Sequence, residues 1–114
     1  MSEQNENLVE TSVGMQPNLA ALLSYFLGWI TGLIFYLVEK KSKFVRFHAM
    51  QSIVVFGGLA ILNIVILIIP VIGVLLSFLL SLLSIALWVL LMIKAYKGEY
   101  FKLPIAGDIA EKNS

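Results

Sequence analysis

From Ile53 to Ile93 the chain runs for forty-one residues without a charged side chain, and Asn63 is the only strongly polar residue among them. A continuous helix of that length, rising about 1.5 Å per residue, would reach roughly 60 Å, twice the ~30 Å hydrocarbon core of a bilayer. The stretch therefore has to fold back once. Pro70 and Gly73 punctuate it near the middle, where such a pair marks a turn. The pattern predicts a tight antiparallel hairpin of helices over 49–69 and 71–93, with a turn so apolar that part of it can stay in lipid. Sixteen of the twenty-three residues from Val71 to Ile93 are Leu, Ile, Val or Phe. At about −0.3 to −0.6 kcal/mol each, insertion of this segment is favoured by roughly 5–10 kcal/mol.

A further uncharged run, Leu19 to Val38, closes on Glu39-Lys40-Lys41. Its twenty residues match one bilayer crossing, so the expectation is an all-α integral membrane protein with three transmembrane helices, over 19–38, 49–69 and 71–93. Composition agrees: 60% of the 114 residues are apolar and 13% charged, against about 45–50% and 25% in soluble domains. A chain this short has too little interior to hide so much apolar surface from water. Apolar helices do occur in soluble cores, but rarely so long or so many in so few residues. No repeat of 20–50 residues is visible.

The formal net charge of +1 conceals a segregation. The basic residues form two clusters, Lys40, Lys41, Lys43 and Arg46, then Lys94, Lys97, Lys102 and Lys112. The first eighteen residues hold Glu3, Glu6 and Glu10 and no basic residue. Basic loops stay in the cytoplasm. Three spans then place a flexible acidic tail, 1–18, outside, the Pro70 turn outside, and the interfacial tail 94–114 in the cytoplasm. Tyr36 and Tyr96 fall at the inner interface of that arrangement, and Trp29 mid-span. Asn18 is a candidate N-cap for the first helix, Pro104 a start for a short last turn and Gly107-Asp108 its end or a bend in it. Nothing at the N-terminus reads as a cleavable signal, and this segregation gives no reason to expect a nucleic-acid partner.

Small residues mark the packing faces. Gly28 and Gly32 form a GxxxG groove, where another helix can approach closely; it can pack on the hairpin of the same chain or on a second copy. Gly73, Ser77, Ser81, Ser84 and Trp88 share one face of the last span, either a close-packed seam with each hydroxyl returned to the carbonyl one turn back, or the lining of a polar path. Asn63, costly in lipid unless paired, should bond one of those serines. His48, Gln51 and Ser52 share a face at the inner end of the second span, where an interfacial hydrogen-bonding role is expected. Lys40, Lys41, Lys43, Arg46 and His48 read as headgroup-level residues that fix topology and meet anionic lipid.

Chemistry is what the sequence lacks. There is no cysteine and a single histidine, so neither thiolate catalysis nor a Cys- or His-based metal cluster is available. No charge lies inside a span, where ion-coupled carriers usually keep one. Nor is there a nucleophile–base pair, paired carboxylates or a phosphate loop. The expectation is a protein without enzymatic activity, cofactor or small-molecule substrate, whose partners are the bilayer and either a second copy or a larger membrane complex; the alternative is a channel or protein-translocation subunit.

The segment Lys43-Phe44-Val45-Arg46-Phe47-His48-Ala49-Met50-Gln51-Ser52 resembles the signature of the Tic20-like family of small prokaryotic membrane proteins. Asn18-Leu19-Ala20-Ala21-Leu22-Leu23-Ser24-Tyr25 and Tyr96-Lys97-Gly98-Glu99-Tyr100-Phe101-Lys102-Leu103-Pro104, with Gly107, are similar to it as well. The resemblance covers roughly residues 18–110. It implies a multi-pass cell-membrane protein of unknown function and supplies no catalytic or ligand residue.

Overall fold

The computed structural model describes residues 11–114, which carry five helices: α1 (Pro17–Phe26), α2 (Trp29–Val38), α3 (Lys43–Leu67), α4 (Ile72–Tyr96) and α5 (Ala106–Lys112). The expected acidic residues Glu3, Glu6 and Glu10 lie outside the described residues. The molecule is a rod with extents of 49 × 22 × 22 Å.

Two helices set its length. α3 begins where the Ser42 hydroxyl accepts the Val45 N–H at 3.2 Å, an N-cap that satisfies one of the free donors of the first turn. It ends at Leu67, and the chain reverses through Ile68–Val71 into α4, as the Pro70–Gly73 pair predicts. A side chain at Gly73 would run into the Ile66 carbonyl and the Ile69 side chain, so only glycine lets the two helices close on each other this tightly. Both helices are long and apolar enough to cross a membrane, and they alone among the described helices.

The stretch 19–38 does not make a third such helix. The chain breaks at Leu27-Gly28, where Gly28 takes φ +64° and ψ −134°, a region open to glycine and costly for other residues. Gly28, expected in a helix-packing groove, turns the chain while lying against Phe56 of α3. α1 starts beside the end of α4, where the Asn18 amide donates to the Tyr96 carbonyl at 2.8 Å. It ends beside the middle of α4, where the Trp88 indole N–H donates to the Tyr25 and Phe26 carbonyls at 2.8 and 3.1 Å. α2 then returns along α3: Gly28 faces Phe56, Gly32 faces Ala49 and Ser52, and the Arg46 guanidinium donates to the Tyr36 carbonyl at 2.9 Å. The result is a short helical hairpin lying on one half of a long one. From Arg46 to Phe56 the short hairpin covers about 15 Å of α3, half the thickness of a hydrocarbon core.

The expectation of three full-length helices is thus corrected to two. The described part of the N-terminal segment lies beside the C-terminal one. Ser12 bonds Glu39 and Asn18 bonds Tyr96, while Tyr36 donates to the Asn113 carbonyl and Arg46 to that of Ser114. Residues 11–18, 39–46 and 96–114 therefore meet at one end of the rod. Asn18 is not an N-cap, since α1 starts at Pro17 without a side-chain cap; its amide ties α1 to α4. The last helix opens at Ala106, so Gly107-Asp108 lies in its first turn and does not end it.

Candidate functional site

The polar groups at the tip of the short hairpin come first, because a broken helix leaves its terminal carbonyls and N–H groups without partners. The Thr31 hydroxyl accepts the Leu27 N–H at 3.1 Å and lies 3.2 Å from the Ser24 carbonyl. The Ser52 hydroxyl donates to the Gly28 carbonyl at 2.8 Å. With Trp88 on the Tyr25 and Phe26 carbonyls, the turn is fully wired into α3 and α4. Non-helical backbone in an apolar setting is tolerated only when protein groups satisfy it in this way.

Below the tip sits a buried polar hub. Tyr25, His48 and Gln51 are each fully shielded from solvent. The His48 Nε2 lies 2.8 Å from the Glu99 carbonyl oxygen, which only accepts, so Nε2 carries a proton. The Tyr25 hydroxyl is 2.6 Å from His48 Nδ1 and also receives the Gln51 amide at 2.9 Å. Its own proton has His48 Nδ1 as the acceptor, which makes the imidazole neutral. Gln51 completes the circuit: its amide donates to the Phe101 carbonyl and its carbonyl accepts the Leu103 N–H, both at 2.9 Å. Phe44, Phe47 and Tyr100 enclose the imidazole, the two phenylalanines edge to face at 4.7 and 5.1 Å between ring centres. Three polar side chains thereby pin α1, α3 and the segment 99–103 together.

A second knot closes the end of the rod. The Glu39 carboxylate is buried and accepts the Ser12 N–H at 2.9 and 3.0 Å, and the Lys41 and Ser42 N–H groups at 2.9 Å. Burial alone would raise its pKa, but the hydrogen bonds from Ser42, Ser12 and Lys41 outweigh that and hold it below the usual carboxylate range. Arg46 donates to the Glu39 and Tyr36 carbonyls at 2.7 and 2.9 Å and stacks over the Tyr36 ring at 4.2 Å.

These observations sort the residues singled out from sequence. Gly28 and Gly32 pack on α3 of their own chain. Asn63 accepts a hydrogen bond from Ser77, and Ser81 and Ser84 return to the Ser77 and Leu80 carbonyls at 2.9 Å. Ser81, Ser84 and Asn63 also line an open groove of about 330 Å³ between α3 and α4, which starts at Phe56 beside the tip of the short hairpin. Lys40, Lys41 and Lys43 are exposed at the end of the rod. His48 is sealed in the hub, and Arg46 spends its donors on backbone carbonyls. Two residues that organise the site, Tyr25 and Glu39, carry little signal of that role in the sequence. The pointer to Tyr25 was the polar face of His48, Gln51 and Ser52, which had to have partners. Glu39 gave no signal beyond being an acid in a basic loop. Among the described residues no three His, Asp or Glu side chains gather where a metal ion could bind.

Comparison with known proteins decides the kinship. Residues 10–110 match the profile of the magnetosome magnetite crystal formation protein family. The chain belongs to that family. A UPF0132 membrane protein of Methanocaldococcus jannaschii is 53% identical over 105 residues, 92% of this chain and 94% of that one. A UPF0132 membrane protein of Archaeoglobus fulgidus is 51% identical over 98 residues, 86% of this chain and 95% of that one. A second such protein of M. jannaschii is 46% identical over 101 residues, covering 89% and 72%. No solved structure matches. The UPF0132 proteins are small membrane proteins of unknown function, which is as far as the Tic20-like resemblance carries; that label itself is not what the comparisons return.

Proposed function

We propose that this UPF0132 protein is a non-enzymatic assembly element of the cell membrane that works by helix–helix packing. α3 and α4 cross the bilayer, and α1–α2 enters as a re-entrant hairpin from the side that holds both ends of the described chain. That side is cytoplasmic, since Lys40, Lys41, Lys43, Lys94, Lys97 and Lys102 all gather there and basic segments stay inside. The observation that carries the reading is the half-covered α3–α4 pair. The short hairpin shields one half, and the other keeps an open groove with Asn63, Ser81 and Ser84 along it. Small and polar residues favour helix association in lipid, so a second copy, or a larger membrane complex, seats there. The crystal-forming role in the family's name is not carried over to this chain.

The cysteine-free chain makes the tests direct. In oriented vesicles, Val13→Cys and Ser114→Cys should react with an impermeant maleimide from the same side, and Ile68→Cys from the other; labelling of Val13→Cys and Ser114→Cys from opposite sides refutes the re-entrant hairpin. Ser81→Cys should crosslink to a second copy in gentle detergent. If it reacts with aqueous reagent and forms no crosslink, the groove borders water and the channel or translocation alternative gains.

A further inference from the structure

A second groove opens between α1 and α4. Leu22 of α1 and Val89, Met92, Ile93, Tyr96 and Lys97 of α4 line about 300 Å³, almost wholly with carbon. Unlike the groove beside Asn63, this one ends at a cation. Lys97 contributes its stem to the wall, and its exposed side chain follows Tyr96 at the polar end of α4. The cation is uncommitted. Lys94, one turn away, is engaged with Glu99 at 3.5 Å and over the Phe101 ring, and Lys102 is held by Asp108 and Glu111. Among the described residues no carboxylate lies within ion-pair distance of Lys97.

We propose that this groove holds one anionic phospholipid, an acyl chain along Met92 and Val89 and the headgroup phosphate on the Lys97 ammonium. The inference rests on the embedding described under Proposed function, with the end of α4 at headgroup level. Every lipid offers an acyl chain, and tails in lipid gain little by moving onto an equally apolar wall. The charge at the mouth therefore sets the choice. A lysine at an anionic surface corresponds to about a fivefold preference over a zwitterionic lipid.

Tryptophan quenching by brominated acyl chains separates the two layers of the argument. Trp29, at the hairpin tip and 43% exposed, reports embedding; an Ile93→Trp substitution on the exposed groove wall reports the groove, its signal read over that of Trp88, which lines a different cleft with Phe56, Ser84 and Ile85. In vesicles of mixed phosphatidylcholine and phosphatidylglycerol, bromine is placed on one lipid or the other at equal fraction. The Trp29→Phe, Ile93→Trp chain should show about fivefold tighter association of brominated phosphatidylglycerol with the added tryptophan. Lys97→Gln should bring the two lipids to parity, and Lys43→Gln should leave the preference intact. Parity with Lys97 in place overturns the proposal, as does a preference that survives Lys97→Gln. Absence of quenching of the added tryptophan by either lipid overturns it too, because protein then fills the groove. If Trp29 in the unaltered chain, read over the Trp29→Phe chain, escapes quenching as well, the embedding itself has failed.

Discussion

Gln51→Leu should release the segment 99–103 while leaving the long hairpin in place. Leucine is no smaller than glutamine, so the substitution removes polar contacts without opening a cavity. Three hydrogen bonds go: those from the Gln51 amide to Tyr25 and to the Phe101 carbonyl, and that from the Leu103 N–H to the Gln51 carbonyl. At about 1 kcal/mol net for each bond, and more where a shielded N–H is left unpaired, the cost is roughly 3–5 kcal/mol. Reversible unfolding in mixed micelles, followed by helicity, measures the total, and amide exchange locates it. Exchange at 99–103 should rise by two orders of magnitude or more, whereas the amides of α4 above Trp88 should hold. The tyrosine–histidine bond survives in this variant, so His48 Nδ1 stays satisfied. A loss below about 1 kcal/mol with unchanged exchange at Leu103 would refute the view that the hub fastens the C-terminal segment.

Further outcomes follow from the same geometry. Gly32→Ala should loosen the α2–α3 contact by about 1–3 kcal/mol, as overpacking does, because an added Cβ would lie 2.8 Å from the Ala49 carbonyl and 2.9 Å from Ser52 Cβ; crosslinking between Leu33→Cys and a cysteine on α3 would report the separation. The Glu39 carboxyl is held below its ordinary 4.5, so the stability it supplies is present above that value and is lost as pH falls through the lower, folded one; exchange at the Ser12 and Lys41 amides should accelerate only in that acid window, and Glu39→Gln should abolish the step. Trp88→Phe leaves the Tyr25 and Phe26 carbonyls without their indole donor and should cost about 1 kcal/mol or more, visible as a blue-to-red shift and stronger aqueous quenching of Trp29.

The long hairpin was legible because its cause is local. Forty-one uncharged residues with Pro70 and Gly73 near the middle admit one reversal, and the Asn63–Ser77 bond follows from the cost of an unpaired amide in an apolar setting. The path of residues 19–38 was not legible, since twenty apolar residues have the same composition whether they run straight or double back. What decides between the two is the fate of four backbone groups around Gly28, met by Ser52, Thr31 and Trp88 from as far as sixty-three positions along the chain. Ser24, Thr31 and Gly28 within one apolar run were the traces of it. The hub was half-visible in the same sense: the polar face of His48 and Gln51 demanded partners, but its carbonyl acceptors at Glu99 and Phe101 are backbone atoms that any residue type would supply.

The bonds from Asn18 to Tyr96 and from Trp88 to Tyr25 also set a schedule for biogenesis. The first two described helices can settle on α3 as soon as it follows them, but part of their fastening comes from α4, sixty to eighty residues later. Until α4 has emerged and inserted, the nascent α1–α2 unit is held on one flank alone. Release of a chain stopped before Trp88 would therefore leave a half-fastened hairpin whose Tyr25 and Phe26 carbonyls lack their indole donor, a ready substrate for membrane quality control.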